Sequence, residues 1–247
     1  MKPIILPTAA AQTSRQSPLL DAAAFLRKAL AITAKDVRIE MRTRELFSSM
    51  FVFALIVSVI FNYTLDLKPT QVQDVAAGLM WIVFAFAGVI GLNRIFVSET
   101  DAGTLQALLV APIDRAALFA GKWLSTVIFI LVTQLVNVPL FALFANLPFG
   151  NLLALAPIFV LGTLGFAAVG TLFAAMAANT HMREVMLPIL LLPLAMPVLL
   201  ASIELTSTAL AGRSLDGARH WLTLLVAYDL VFIVAGLLAF EIITQED

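Results

Sequence analysis

Few side chains in this chain could do chemistry, and their types exclude more than they permit. There are two histidines, His181 and His220, and no cysteine. Without cysteine there are no structural disulfides, no thiolate metal ligands and no thiol nucleophile. No nucleophile–base pair and no metal-ligand cluster can be read at a usable spacing, so no catalytic or metal-binding residue is assigned. Gly121-Lys122 is the one Gly-Lys step, and Trp123 comes directly after it. A phosphate-cradling loop needs G-x-x-x-x-G-K-[ST]. Nucleotide hydrolysis is therefore expected on a separate subunit.

Polar groups deep in apolar surroundings are the next candidates. Asp229 lies nine residues beyond His220, or about 14 Å along a helix at 1.5 Å per residue. Gln134 lies twelve residues beyond Lys122, or about 18 Å, and Asn137 is one turn further. A charged carboxylate at mid-membrane depth costs about 2.5–3.5 kcal/mol on insertion scales. Asp229 is thus expected to face the bundle, to be protonated, or to accept hydrogen bonds from Gln134 or Asn137. Both a structural polar clamp and a role in a working cycle fit that placement.

The stretch "ETDAGTLQALLVAP", residues 99–112, is a third candidate. Glu99 and Asp101 suit the positive end of a helix dipole. Thr100, Asp101 or Thr104 can cap its first turn. Leu105, Leu108 and Leu109 fall at i, i+3 and i+4, one apolar stripe. Pro112 ends the run, and Asp114 can cap the next helix. The spacing predicts a short amphipathic helix over 98–113, with a face suited to docking.

These residues must be carried by something, and the composition says what. The chain is 61% hydrophobic and 13% charged, against about 25% charged in soluble domains. It is expected to be an all-α integral membrane protein. Its net charge of −1 gives no footprint for nucleic acid. Six apolar runs can cross about 30 Å of hydrocarbon, at 46–67, 75–96, 117–145, 152–178, 185–203 and 221–242. With the N-terminus inside, twelve of the fifteen basic residues fall on inner segments. The positive-inside rule then places both termini in the cytoplasm, and 98–113 with them. Residues 1–18 are polar and proline-broken, and read as a disordered cytoplasmic tail. Residues 19–247 read as a single domain.

Two further features mark the scaffold. Over 19–45, Leu26, Leu30, Thr33, Val37 and Met41 recur at helical spacing, with Arg38, Arg42 and Arg44 among the cations on other faces. An amphipathic helix in the inner interface is expected. Asp36, Glu40 and Glu45 interrupt the cations. A lipid anchor gains nothing from carboxylates, whereas a protein contact can pair them. In the fifth run, Pro188, Pro193 and Pro197 each delete a backbone hydrogen bond. A hinge or broken helix lining a pathway and a static kink both fit.

Taken together, the residues resemble the membrane subunits of ABC exporters. Glu99, Gly103-Thr104, Leu108-Leu109 and Pro112 match the pattern of the coupling helix that those subunits place between spans two and three. Two stretches resemble one family more closely, the CcmB family of haem exporter permeases from cytochrome c maturation systems. They are "KDVRIEMRTRELFSSMFVFAL" (35–55) and "ETDAGTLQALLVAPIDRAALFAGK" (99–122). Asp101 and Ala102 depart from the more strongly charged run expected there. The resemblance covers roughly residues 25–245. It implies a six-span permease of the bacterial inner membrane, dimeric, working with a separate ABC ATPase that holds ATP and Mg2+. It also implies haem as substrate, with the haem-handling membrane component CcmC and the small component CcmD as partners. No cofactor is expected on this chain; His181 and His220 are the available iron ligands, though loop histidines are commonly just solvated. A non-transporting subunit that releases a haem-loaded chaperone, and an exporter of lipid, glycan or drug, are the alternatives.

Overall fold

The structure, a computed structural model, describes residues 18–64, 69–101, 115–144, 152–177 and 182–243. These form α1 (Pro18–Thr43), α2 (Glu45–Thr64), α3 (Pro69–Asp101), α4 (Arg115–Phe144), α5 (Leu152–Ala177) and α6 (Arg183–Leu210). A 3-10 turn (Leu215–Ala218) and α7 (Arg219–Ile243) complete them. Pro18 and Pro69 each stand first in their helix, where a missing N–H costs nothing and the fixed φ is already helical.

Five helices are long and apolar enough to cross a membrane, or six if the bent pair α1–α2 counts as one span. α3 is longer than its apolar run requires. Its 33 residues reach about 50 Å and take in residues 98–101. The first residues of the expected amphipathic segment over 98–113 thus belong to the last turn of α3, and the rest of it lies outside the described residues. α6 also outlasts its run at 185–203, because Leu205, Thr206, Ser207, Ala209 and Leu210 are all buried. Gly212, at φ 64°, then stops it, in the left-handed conformation that commonly closes a helix.

The helices alternate in direction. Arg94 Nη1 donates to Glu45 Oε2 at 2.9 Å, which sets the end of α3 beside the start of α2. Trp81 Nε1 donates to Thr206 Oγ1 at 2.9 Å, which sets the start of α3 beside the end of α6. Phe119 and Phe240 pack at 5.8 Å between ring centroids, joining the start of α4 to the end of α7. The starts of α2 and α4 and the ends of α3 and α7 thus share one end of the bundle. Of the five spanning helices, α3 and α5 are the most enclosed and α7 the least.

Between α1 and α2 the chain turns by 70°. Arg44 makes the corner at φ 56°. Its N–H donates to the Glu40 carbonyl at 2.7 Å, and the Glu40 carboxylate accepts from the N–H groups of Phe47 at 2.7 Å and Leu46 at 3.3 Å. A helix start leaves such donors unpaired, so Glu40 caps α2 from the preceding helix. A non-glycine residue in the left-handed region costs about 1–2 kcal/mol. Arg44→Gly should therefore hold or raise the thermal midpoint in detergent, by about 1 kcal/mol of stability. Arg44→Val, branched at Cβ, should lower it.

Candidate functional site

The strongest polar site joins α1 to α4. Lys122 is only 1% exposed, although it heads an apolar helix. Its Nζ lies 3.0 Å from Asp36 Oδ2. Ser125 Oγ, one turn on, donates to the same oxygen at 3.2 Å, and Lys35 approaches Asp36 Oδ1 at 3.2 Å. Thr33 Oγ1 donates to the Gly121 carbonyl at 3.1 Å. Gly121 permits this closeness. A Cβ there would stand 2.7 Å from Ile32 Cβ and 2.9 Å from the Ala29 carbonyl oxygen. Breaking a buried ion pair by removing one partner costs about 3–5 kcal/mol.

The three acids that interrupt the cations all find partners within the chain: Asp36 with Lys122, Glu40 with the start of α2, Glu45 with Arg94. The Glu45–Arg94 pair is solvent-facing and contributes little. The buried face of α1 is Ala29, Ile32, Thr33 and Asp36, while Leu26, Leu30 and Met41 point outward. The apolar stripe read from the sequence is therefore split. Thr33 turns onto α4, Val37 is half-buried, and the other three are left on an exposed flank beside exposed Arg38 and Arg42. Sequence reasoning missed the Asp36–Lys122 pair. The available signal was a lysine at the head of an apolar run with no acid on its own helix.

Deeper in the bundle the expected clamp is not made. Gln134 exchanges hydrogen bonds with Thr163 of α5 (3.1 and 3.3 Å). Asn137 Nδ2 donates to the Thr133 carbonyl of its own helix at 3.0 Å. Asp229 is 6% exposed, and neither of its carboxyl oxygens has a hydrogen-bond partner among the described residues. It faces α5, where a Cβ on Gly165 would collide with Asp229 Oδ1 and stand 2.9 Å from Tyr228 Cδ1. The reason is angular. Asp229 and Tyr228 turn toward the bare face of α5, so Gln134 meets α5 from the other side and takes Thr163.

The proline-rich helix is not broken. α6 is one α-helix through Pro188, Pro193 and Pro197. Pro193 and Pro197 lie on its exposed face, so they line no passage inside this chain. Tyr228 Oη donates to the Leu194 carbonyl at 2.8 Å, tying α7 to α6 beside the carbonyl that Pro197 leaves without its usual donor. A void lined by Trp81, Gln134, Thr163 and Phe166 measures about 10 Å3, roughly enough for one water.

Glu99 and Asp101 fall in the last turns of α3. Gly103, Thr104, Leu105, Leu108, Leu109 and Pro112 lie outside the described residues, as does His181. They connect α3 to α4 in sequence, except His181, which precedes α6. The end of α3 and the start of α4 lie at the end of the bundle that holds the α1–α2 corner and the Asp36–Lys122 pair. His220 is exposed and packs on Trp221, with ring centroids 5.0 Å apart.

Long apolar helices and internally paired charges define a multi-pass membrane protein. The family model described as CcmB protein matches residues 27–243, and the chain belongs to that family. It is similar to heme exporter protein B of Rhodobacter capsulatus, 28% identical over 75% of this chain and 85% of that protein. It is similar to heme exporter protein B of Pseudomonas aeruginosa, 27% identical over 83% of this chain and 94% of that protein. The Bradyrhizobium diazoefficiens protein of the same name is 25% identical over 83% and 92%.

The α5–α7 contact carries its own test. Gly165→Ala forces a methyl group into Asp229 and Tyr228, and overpacking of this kind costs about 1–3 kcal/mol. The thermal midpoint in detergent should fall accordingly. Asp229→Ala in the same chain should recover much of the loss, and Asp229→Asn alone should be nearly silent. An unchanged midpoint for Gly165→Ala would show that the two helices do not meet there.

Proposed function

We propose that this chain is the membrane permease subunit of an ABC exporter. It couples ATP hydrolysis on a separate subunit to delivery of haem for c-type cytochrome maturation. The observation that carries the reading is the family match over residues 27–243, with relatives named heme exporter protein B aligned along most of their length. The geometry agrees with it. On this reading α2 to α7 are six spans. α1 lies in the inner interface, with Leu26, Leu30 and Met41 toward lipid and Arg38 and Arg42 near anionic headgroups. The distribution of basic residues favours both termini in the cytoplasm of a bacterial inner-membrane protein.

The segment between α3 and α4 is the coupling element of this proposal. Glu99 and Asp101 lead into it, Leu105, Leu108 and Leu109 form its docking stripe, and Gly103, Thr104 and Pro112 shape its ends. Six spans are half a usual translocation unit, so two copies work with two ATPase subunits that carry ATP and Mg2+. The membrane components CcmC and CcmD of the maturation system are the further partners. The chain itself catalyses nothing and holds no cofactor; haem is cargo.

A second reading is a subunit that transmits ATPase motion to release a haem-loaded chaperone, with no haem passing through this chain; the deep polar side chains Gln134 and Thr163 bond to each other. Reconstitution with the ATPase and a count of haem moved per ATP separates the two.

Leu108→Asp or Leu109→Asp would bury a carboxylate in the docked stripe, at several kcal/mol. ATPase copurification should fall at least tenfold while membrane levels hold; undiminished copurification with both variants would sink the coupling assignment. For the histidines, His181→Ala combined with His220→Ala should still support cytochrome c maturation. Loss of maturation at normal expression, with loss of haem from the purified complex, would make them ligands.

A further inference from the structure

We propose that Asp36 and Lys122 are a positioning pair that makes α1 follow the head of α4. The inference rests on the coupling reading above and adds the route by which motion passes from α4 to α1. Lys122 lies two helical turns into α4, the helix that emerges from 102–114. Asp36 lies two turns before the Arg44 corner. α1 meets the bundle chiefly along α4 and, at the corner, against α2.

Three kinds of contact hold α1 against α4: the 3.0 Å ion pair, the bonds from Thr33 and Ser125, and the seat of Ile32 on Gly121. They do not resist motion equally. Apolar surfaces slide over one another at small cost, because one set of van der Waals neighbours is exchanged for another. An ion pair with so buried an ammonium resists separation more than apolar surfaces resist sliding, because removing a buried charge from its partner is costly. The pair therefore makes α1 and the head of α4 move together. From α1 the link continues through the Glu40 carboxylate to the start of α2, and from Glu45 to Arg94 at the end of α3. Displacement of the head of α4 is in this way passed through α1 to the start of α2 and the end of α3.

The test uses the complex with its ATPase. Because the chain has no cysteine, introduced thiols are its sole labelling sites. Spin labels at Leu26→Cys on α1 and Val231→Cys on α7 report α1 motion. Labels at Ala120→Cys on α4 and Val231→Cys report α4 motion. Distances are measured by pulsed paramagnetic resonance with and without vanadate-trapped nucleotide. Asp36→Leu with Lys122→Met replaces the pair by apolar groups of similar shape, a change that buried ion pairs commonly tolerate, so folding and ATPase binding are retained. In the unsubstituted chain both distances should shift on trapping. In the apolar double variant the α4 shift should persist and the α1 shift should be lost, with cytochrome matured per ATP down about tenfold. The charge-swapped Asp36→Lys, Lys122→Asp chain should recover a substantial part of both. An α1 shift and a yield per ATP unchanged in the apolar variant would overturn the positioning role alone. An α4 distance that never responds in the unsubstituted chain would overturn the coupling reading and this inference with it.

Discussion

The ammonium of Lys122 lies where neither water nor lipid headgroup can solvate it, and the rest of that end of the molecule depends on it. A cation so placed is tolerated only with a carboxylate at contact distance. That carboxylate belongs to Asp36, on a different helix. α1 must therefore lie along α4, and Gly121 must be bare so that Ile32 can approach. The chain must also turn sharply at Arg44 to enter the bundle as α2. The turn leaves the first N–H groups of α2 open, and Glu40 accepts two of them. One buried charge thus accounts for a docked helix, a glycine, a left-handed corner and a cap.

The middle of the bundle obeys a different rule. There the close packing of helices comes before polar pairing. α5 presents Gly165 to α7, and the gain is van der Waals contact at close approach. Asp229 and Tyr228 fill the space that glycine leaves, and the Asp229 carboxyl oxygens go without partners among the described residues. Gln134 fares better because Thr163 offers both a donor and an acceptor at the right height. α3 contributes the aromatic wall of Trp81 and Phe84 against Phe159. The indole N–H of Trp81 is satisfied by Thr206, on the buried stretch by which α6 outlasts its apolar run.

A division of labour between the two ends of the helices agrees with the proposed function. The end holding the α1–α2 corner and the connection from α3 to α4 concentrates charge and cross-linking contacts. The opposite end carries the Ser214-capped turn at Leu215–Ala218. α6 and α7 expose long apolar faces, including Pro193, Pro197, Leu200, Leu230 and Leu238. In a membrane such faces are the ordinary solvent boundary. Pro193 and Pro197 therefore sit on the outer side of α6.

Much of this was legible from the residues alone, because it depends on local or one-dimensional quantities. Length and polarity of apolar runs specify helices that match a bilayer. The acids among the cations of 19–45 announce a protein contact. Even the lack of a phosphate loop is a property of the string. What the string did not contain was direction about the helix axis. Asp229, Gln134 and Asn137 share a depth, and depth alone suggested that they meet. Rotation of each helix, decided by where glycines let neighbours approach, sends Asp229 to Gly165 and Gln134 to Thr163. The same holds for the central ion pair. Asp36 and Lys122 are far apart in sequence and each has nearer candidate neighbours. Only the packing of α1 along α4 made them partners, because burial removes water as the alternative partner for either charge.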